Sequence, residues 1–234
     1  MEIQKIRIQF KEKLKPSGWD RVLNDFIDSS NFEILMTTLY KLHADGKITP
    51  GIKQVFRAFY ECPYKDLAVV IIGQDPYPQE NVADGLAFSC SNTGVIQPSL
   101  KVIFQEIQDT VYKPINENWY ACEPDLTRWA KQGMLLMNTA FTTEVGKIAM
   151  HYDIWKPFVE YLFKKLVDMN TGLVYVFMGQ AAREWAKKIP ESNYKLFCYH
   201  PASACYSGGE WESNDVFNRI SELVESKIGT KIIW

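Results

Sequence analysis

Apolar and polar positions divide this chain into an amphipathic helical head followed by short apolar runs that alternate with helical patterns. Over 19–44, Trp19, Val22, Leu23 and Phe26 recur at helical spacing, and Asp28-Ser29-Ser30-Asn31 interrupts the pattern before a second helix. A third helix is predicted over 51–60. Four runs then read as buried strands: LAVVII (67–72), MLLMN (134–138), GLVYVFMG (172–179) and KLFCYH (195–200). Between and after them, SLKVIFQEIQDTV (99–111), YDIWKPFVEYLFKKLVDM (152–169), AAREWAKKI (181–189) and SNDVFNRISELVESKI (213–228) space their apolar residues three and four apart. Strand–helix–strand succession implies a parallel sheet with helices on both faces. The expected fold is therefore α/β, a single domain over 1–234 around a central four-stranded parallel sheet, with 1–50 as a helical segment packed on it.

Composition narrows the function classes. With 234 residues, 47% apolar and 14% aromatic, the chain can bury a sizeable core. A formal charge of -2 means that contact with a polyanion must come from a local patch or from backbone amides. The basic positions near the start (Lys5, Arg7, Lys11, Lys13, Lys15) alternate with Glu2 and Glu12 and read as a solvated face. Five cysteines without a C-x-x-C pair argue against a disulfide framework or a zinc ribbon. No secretion-type apolar region or membrane-length stretch occurs, so a soluble intracellular monomer with no membrane partner is expected.

In an open parallel sheet, ligands sit beyond the carboxyl ends of the strands. Those ends read Gly73-Gln74-Asp75, Asn138-Thr139, Gly179-Gln180 and His200-Pro201. One histidine and one aspartate make a poor metal set, and neither a G-x-G-x-x-G nor a G-x-x-x-x-G-K-[ST] cradle is present, so no metal and no cofactor are expected. Likewise, no G-x-S-x-G elbow suggests a nucleophilic serine. Outside these ends, His43 reads as surface, His151 as structural, and Met134 and Met137 as core.

Five stretches in order, GQDPYP (73–78), GLAFS (85–89), PSL (98–100), LLMN (135–138) and HPAS (200–203), resemble the motifs of the family 1 uracil-DNA glycosylases over roughly 50–234. The resemblance implies that fold, and DNA as substrate. It also implies roles: Asp75 orients the attacking water, and neutral His200 donates to the uracil oxygen that gains charge. Gln74, Tyr77, Phe88 and Asn138 would bind the extruded base. Phe88 stacks on it, Tyr77 excludes a methyl at C5, and the Asn138 amide matches uracil but not cytosine. Pro98, Ser99, Gln180, Ser203, Ala204 and Tyr206 would meet DNA.

Departures from the family pattern gather at positions expected on the DNA side. Pro78 and Asp84 stand where histidines are usual, Gln97 where a proline is, and Gln180 where a serine is. Ala204 and Gly208 replace an intercalating leucine and an arginine, leaving Tyr206 as a neighbouring substitute. A weak grip on duplex, with single strands favoured, is the expectation. PYP and YHPA also resemble poxvirus members that serve a polymerase processivity complex, so a replication-protein partner, or an inhibitor, is a competing expectation. A third is a relative acting on modified pyrimidines.

Overall fold

Each apolar run forms a strand: β1 Val69–Gly73, β2 Met134–Asn138, β3 Val174–Met178 and β4 Tyr194–Cys198. The structure, a computed structural model, describes residues 2–112, 122–207 and 210–234, the side chains of Tyr206 and Ser207 excepted. Every residue of β1, β2 and β3 is buried, as strands covered on both faces require. At the edge, β4 exposes Tyr194 and buries Leu196 and Cys198. All pairings are parallel in the order β2-β1-β3-β4.

The chain thus moves outward from β1 to β2 and then returns past β1 to β3. With right-handed crossovers, this reversal sends successive connections to opposite faces and opens the carboxyl edge beside β1. Register levels that edge, because Gly73 pairs with Asn138 and Ile72 lies between Met137 and Phe177.

Four helices precede the sheet: α1 Ile3–Leu14, α2 Asp20–Ile27, α3 Ser30–Ala44 and α4 Arg57–Glu61. α5 Pro98–Ile107 and α6 Thr127–Ala130 join β1 to β2, α7 Tyr152–Met169 joins β2 to β3, and α8 Gln180–Arg183 leads from β3. α9 Ala202–Ser207 and α10 Val216–Ile228 follow β4. α7 buries Trp155, Phe158, Leu162 and Leu166 at helical spacing and packs on α2 and α3. Aromatic rings lock that face, with Phe141 and Phe158 both touching Trp155 and Phe59. Each such pair adds roughly 0.5–1.5 kcal/mol to area burial.

The helical head matches its pattern. Ser29 caps α3 by accepting from the Phe32 amide, which is why the polar break ends one helix and starts the next. Lys5, Lys13 and Lys15 are exposed as expected, but Arg7 turns inward and donates to the Ile27 and Ser29 carbonyls at 2.9 and 3.0 Å. The Ile27 carbonyl ends α2 and Ser29 caps α3, so the guanidinium fastens α1 to the junction of those two helices.

The helix expected over 51–60 is shorter. Residues 52–56 form turns and only Arg57–Glu61 is helical, because Gln54 exchanges amide bonds with Asn92 and presses its carbonyl against Gly85. The 99–111 pattern ends its α-helix at Ile107 and closes with a wider π turn that buries Tyr112. Among the described residues, no helix is long and apolar enough to cross a membrane.

Candidate active site

Gly73, the last residue of β1, is the floor of the site. A Cβ placed there would overlap Asn138 Oδ1 and lie 3.3 Å from Phe88 Cζ. Only glycine leaves the carboxamide and the ring together over one backbone position. Asn138 is buried, and its place opposite Gly73 follows from strand register alone. Beyond the strands, Thr139 N–H donates to the Gly73 carbonyl at 3.1 Å, and the Gln74 carbonyl accepts from Thr139 Oγ1 and Ala140 N–H. Gln74 is therefore held by the β2 side of the edge.

Phe88 adopts φ +66°, a left-handed conformation that bulky residues take only under constraint, at a cost of about 1–3 kcal/mol. Its carbonyl accepts from Tyr77 Oη at 3.0 Å, and the preceding Ala87 N–H donates to Leu136 O at 3.1 Å. The ring lies 5.7 Å from the imidazole of His200. Burial raises the Tyr77 phenol above its ordinary range, so it stays protonated and keeps this bond.

Asp84, expected at the DNA-facing side, is instead fully buried, and this position is corrected. Its carboxylate accepts from Leu86 N–H (3.1 Å), Ser89 Oγ (2.6 Å), Ser91 N–H (2.9 Å) and Ser91 Oγ (2.6 Å), and pairs with Arg57 Nη1 at 2.9 Å. Arg57 in turn reaches Asp125 and Thr127. An acid at this position ties down both flanks of Phe88, and five donors satisfy its charge.

Asp75 is half-buried, and Oδ2 accepts from Ala149 N–H at 2.6 Å. Burial raises its carboxyl above the usual range, opposed in part by the Ala149 amide and the Gln74 side chain. Such a carboxylate is a stronger base than an exposed one. Tyr152, read from sequence only as the start of a helix, also belongs here. Its hydroxyl is buried and faces Thr139, Gln74 and Asp75. Burial first and the Asp75 charge second hold its phenol protonated. No periodicity signals it, since it meets the site only through the fold of the β2–α7 connection.

His200 lies past β4, where Gly179 at φ +92° passes so close that a Cβ would come within 2.9 Å of the imidazole-bearing carbon. Its Nδ1 accepts from Ala202 N–H at 3.2 Å. The neutral ring thus carries its proton on Nε2 as a donor, and burial lowers its pKa so that it remains neutral. His151 sits 3.0 Å through Nδ1 from Thr142 Oγ1, which also accepts from Trp155 Nε1, a structural setting. His43 is exposed.

Residues expected to meet DNA are more scattered. Pro98 and Ser99 begin α5, with Ser99 buried. Gln180 is exposed and bonds to Glu184, just past the end of α8, at 2.9 Å. Ser203 Oγ donates to the His200 carbonyl at 2.7 Å, and Ala204 is half-buried against the core. The side chain of Tyr206, and Gly208, lie outside the described residues. Among the described residues, no group of three or more His, Cys, Asp or Glu could hold a metal ion.

Comparison with known proteins places the chain among relatives of one family. The sequence profile of the Uracil DNA glycosylase superfamily matches residues 59–223. The uracil-DNA glycosylase of Borreliella burgdorferi is 37% identical over 218 residues, covering 91% of this chain and 95% of the relative. Uracil-DNA glycosylase 1 of Listeria innocua is 32% identical over 219 residues, covering 92% and 96%. The fold is similar to the crystal structure of mimivirus uracil-DNA glycosylase, with a TM-score of 0.81 and 24% identity over 94% of this chain and 86% of that one. A mimivirus UNG variant in complex with UGI gives a TM-score of 0.81 at 23% identity, covering 92% and 87%.

Proposed function

Because the chain belongs to the uracil DNA glycosylase superfamily, we propose that it hydrolyses the N-glycosidic bond of extruded deoxyuridine in DNA. The products are free uracil and an abasic site, as base excision repair requires. One observation carries the reading: an aromatic ring and a carboxamide share the Gly73 floor, with a carboxylate and a neutral imidazole donor beside them.

As the bond to the base breaks, the sugar becomes cationic and uracil anionic. His200 donates from Nε2 to the uracil oxygen that gains charge, and it is already neutral before the base arrives. Asp75, ionised, faces the sugar cation and orients a water whose oxygen bonds to C1′; that water's proton passes to the carboxylate. Uracil leaves as an anion, so a single carboxylate suffices and no metal takes part. Asn138 presents one acceptor for N3–H and one donor for O4. Cytosine reverses both, leaving buried groups unpaired, which rejects an analogue by on the order of 10⁴-fold. Phe88 stacks on the base, and Tyr77 fills the space beside C5 so that a thymine methyl collides.

At the DNA surface, Ala204 offers a methyl where the family has an intercalating leucine, a weak hold on an emptied stack, and rates on duplex and single strand are comparable. UGI, seen with the mimivirus variant, is a reagent for asking whether this chain shares an inhibitor.

The decisive experiment is release of free uracil from a labelled oligonucleotide in EDTA. Wild type is expected to work undiminished, with Asp75→Asn and His200→Leu lower by on the order of 10²–10³-fold. Full activity in both variants would refute the assignment.

A further inference from the structure

The connection between β2 and α7 carries residues 146–150, all exposed, and it is fastened to the loop that bears Asp75. Gly146 N–H donates to Pro78 O at 2.7 Å, and Ala149 N–H to Asp75 Oδ2 at 2.6 Å. Thr143 Oγ1 adds a bond to the Lys147 carbonyl at 2.9 Å. Ala149 takes φ +60°, which a residue with a Cβ adopts only where its surroundings impose it. The tip held in this way projects Ile148, 61% exposed, and Met150, 49% exposed. Both are chain neighbours of Ala149, so their Cα atoms lie only about 3.8 Å from that of the residue touching the carboxylate. Both side chains keep about half or more of their surface exposed, and a fixed loop that exposes large apolar groups beside a reacting centre calls for an occupant.

We propose that Ile148 and Met150 form an apolar wedge that presses on the DNA bases flanking the extruded deoxyuridine. The proposal rests on the glycosylase reading above. Any strand that delivers a base to the Gly73 floor must pass the Asp75 rim, so the substrate itself, and no separate partner, meets this tip. Isoleucine and methionine are among the side chains that unstack base steps by insertion. A wedge must also be stiff, since a loop that folds away under load keeps no gap open. The bonds at Gly146 and Ala149 supply that stiffness from both ends. Because one of them ends on the catalytic carboxylate, seating the wedge also fixes the orientation of Asp75.

The test is the double variant Ile148→Ser/Met150→Ser, assayed for kcat/KM on a uracil-containing duplex and on the same strand alone. The duplex-to-single-strand ratio is expected to fall about tenfold relative to wild type, because flipping costs most where neighbours are stacked. A second arm places 2-aminopurine next to 2′-fluoro-deoxyuridine in duplex, the fluorine disfavouring the sugar cation and so blocking cleavage. Fluorescence should rise when wild type binds, and stay flat with the variant. An unchanged ratio, whether both rates hold or both fall together, overturns the wedge, as does an equal fluorescence rise. A wild-type chain that releases no uracil from either substrate refutes the glycosylase reading instead, and the fluorescence arm then decides the wedge alone.

Discussion

In the proposed reaction, His200 and Asp75 divide the work by environment. Burial lowers the His200 pKa below its ordinary 6.5 and raises that of Asp75 above 3.8. The proposed reaction needs neutral imidazole and ionised carboxylate, so kcat/KM should be flat above about pH 7 and fall on the acid side, within the interval between those two ordinary values. For stability the signs differ. His200 is harder to protonate in the folded chain, so its contribution is present above pH 6.5 and lost as pH falls. Asp75 is harder to ionise there, so its contribution is present below pH 3.8 and lost as pH rises through its folded pKa. At neutral pH the buried charge is a burden on the fold. Asp75→Asn keeps an acceptor for Ala149 and should therefore show a Tm at or above wild type while uracil release collapses, a combination thermal melting and the release assay read together. Gly73→Ala makes the opposite split: Asn138 Oδ1 must move, the fold persists, and kcat/KM drops on the order of 10²-fold because the amide no longer sits where the base edge does.

At the level of elements, the segment from Asp84 to Ser91 acts as one piece. Asp84 holds its start and its end, Tyr77 and Leu136 hold its middle, and the strained Phe88 backbone is carried between them. Asp84→Ala leaves Arg57 and several amides and hydroxyls short of a partner. Urea unfolding should show a loss of about 3–5 kcal/mol, and the surviving folded fraction should have a raised KM because the ring no longer sits over Gly73. The sequence pattern made strand ends legible but not this device. GLAFS reads as a motif, yet the carboxylate that shapes it looked like a surface change until the fold buried it. Tyr152 is a parallel case, since a tyrosine at a helix start has no period to announce that its hydroxyl faces Asp75. By contrast, the four strands and α7 were legible almost to the residue, because apolar runs and three-and-four spacing are local properties.

For the whole molecule, the formal charge of -2 sets how DNA is held. Each phosphate neutralised contributes roughly 0.9 to the slope of log affinity against log salt. With Gln180 bonded to Glu184 and Ser203 to its own loop, the slope for a uracil duplex between 50 and 200 mM salt should be shallower than about 3. A steeper slope in a fluorescence-anisotropy titration would show a basic contact surface that these residues do not supply. The sequence by itself determined the number and parallel sense of the strands, and the residues at their carboxyl ends, because buried strands and their terminators are written in consecutive positions. Only the tertiary structure decided that Phe88 and Asn138 meet over Gly73, that Nδ1 of His200 accepts from Ala202, that Asp84 points inward, and that exposed Ile148 and Met150 flank the residue whose amide reaches Asp75. These depend on crossover direction, register and hydrogen bonds between segments tens of residues apart, and no local pattern encodes a distance across the sheet.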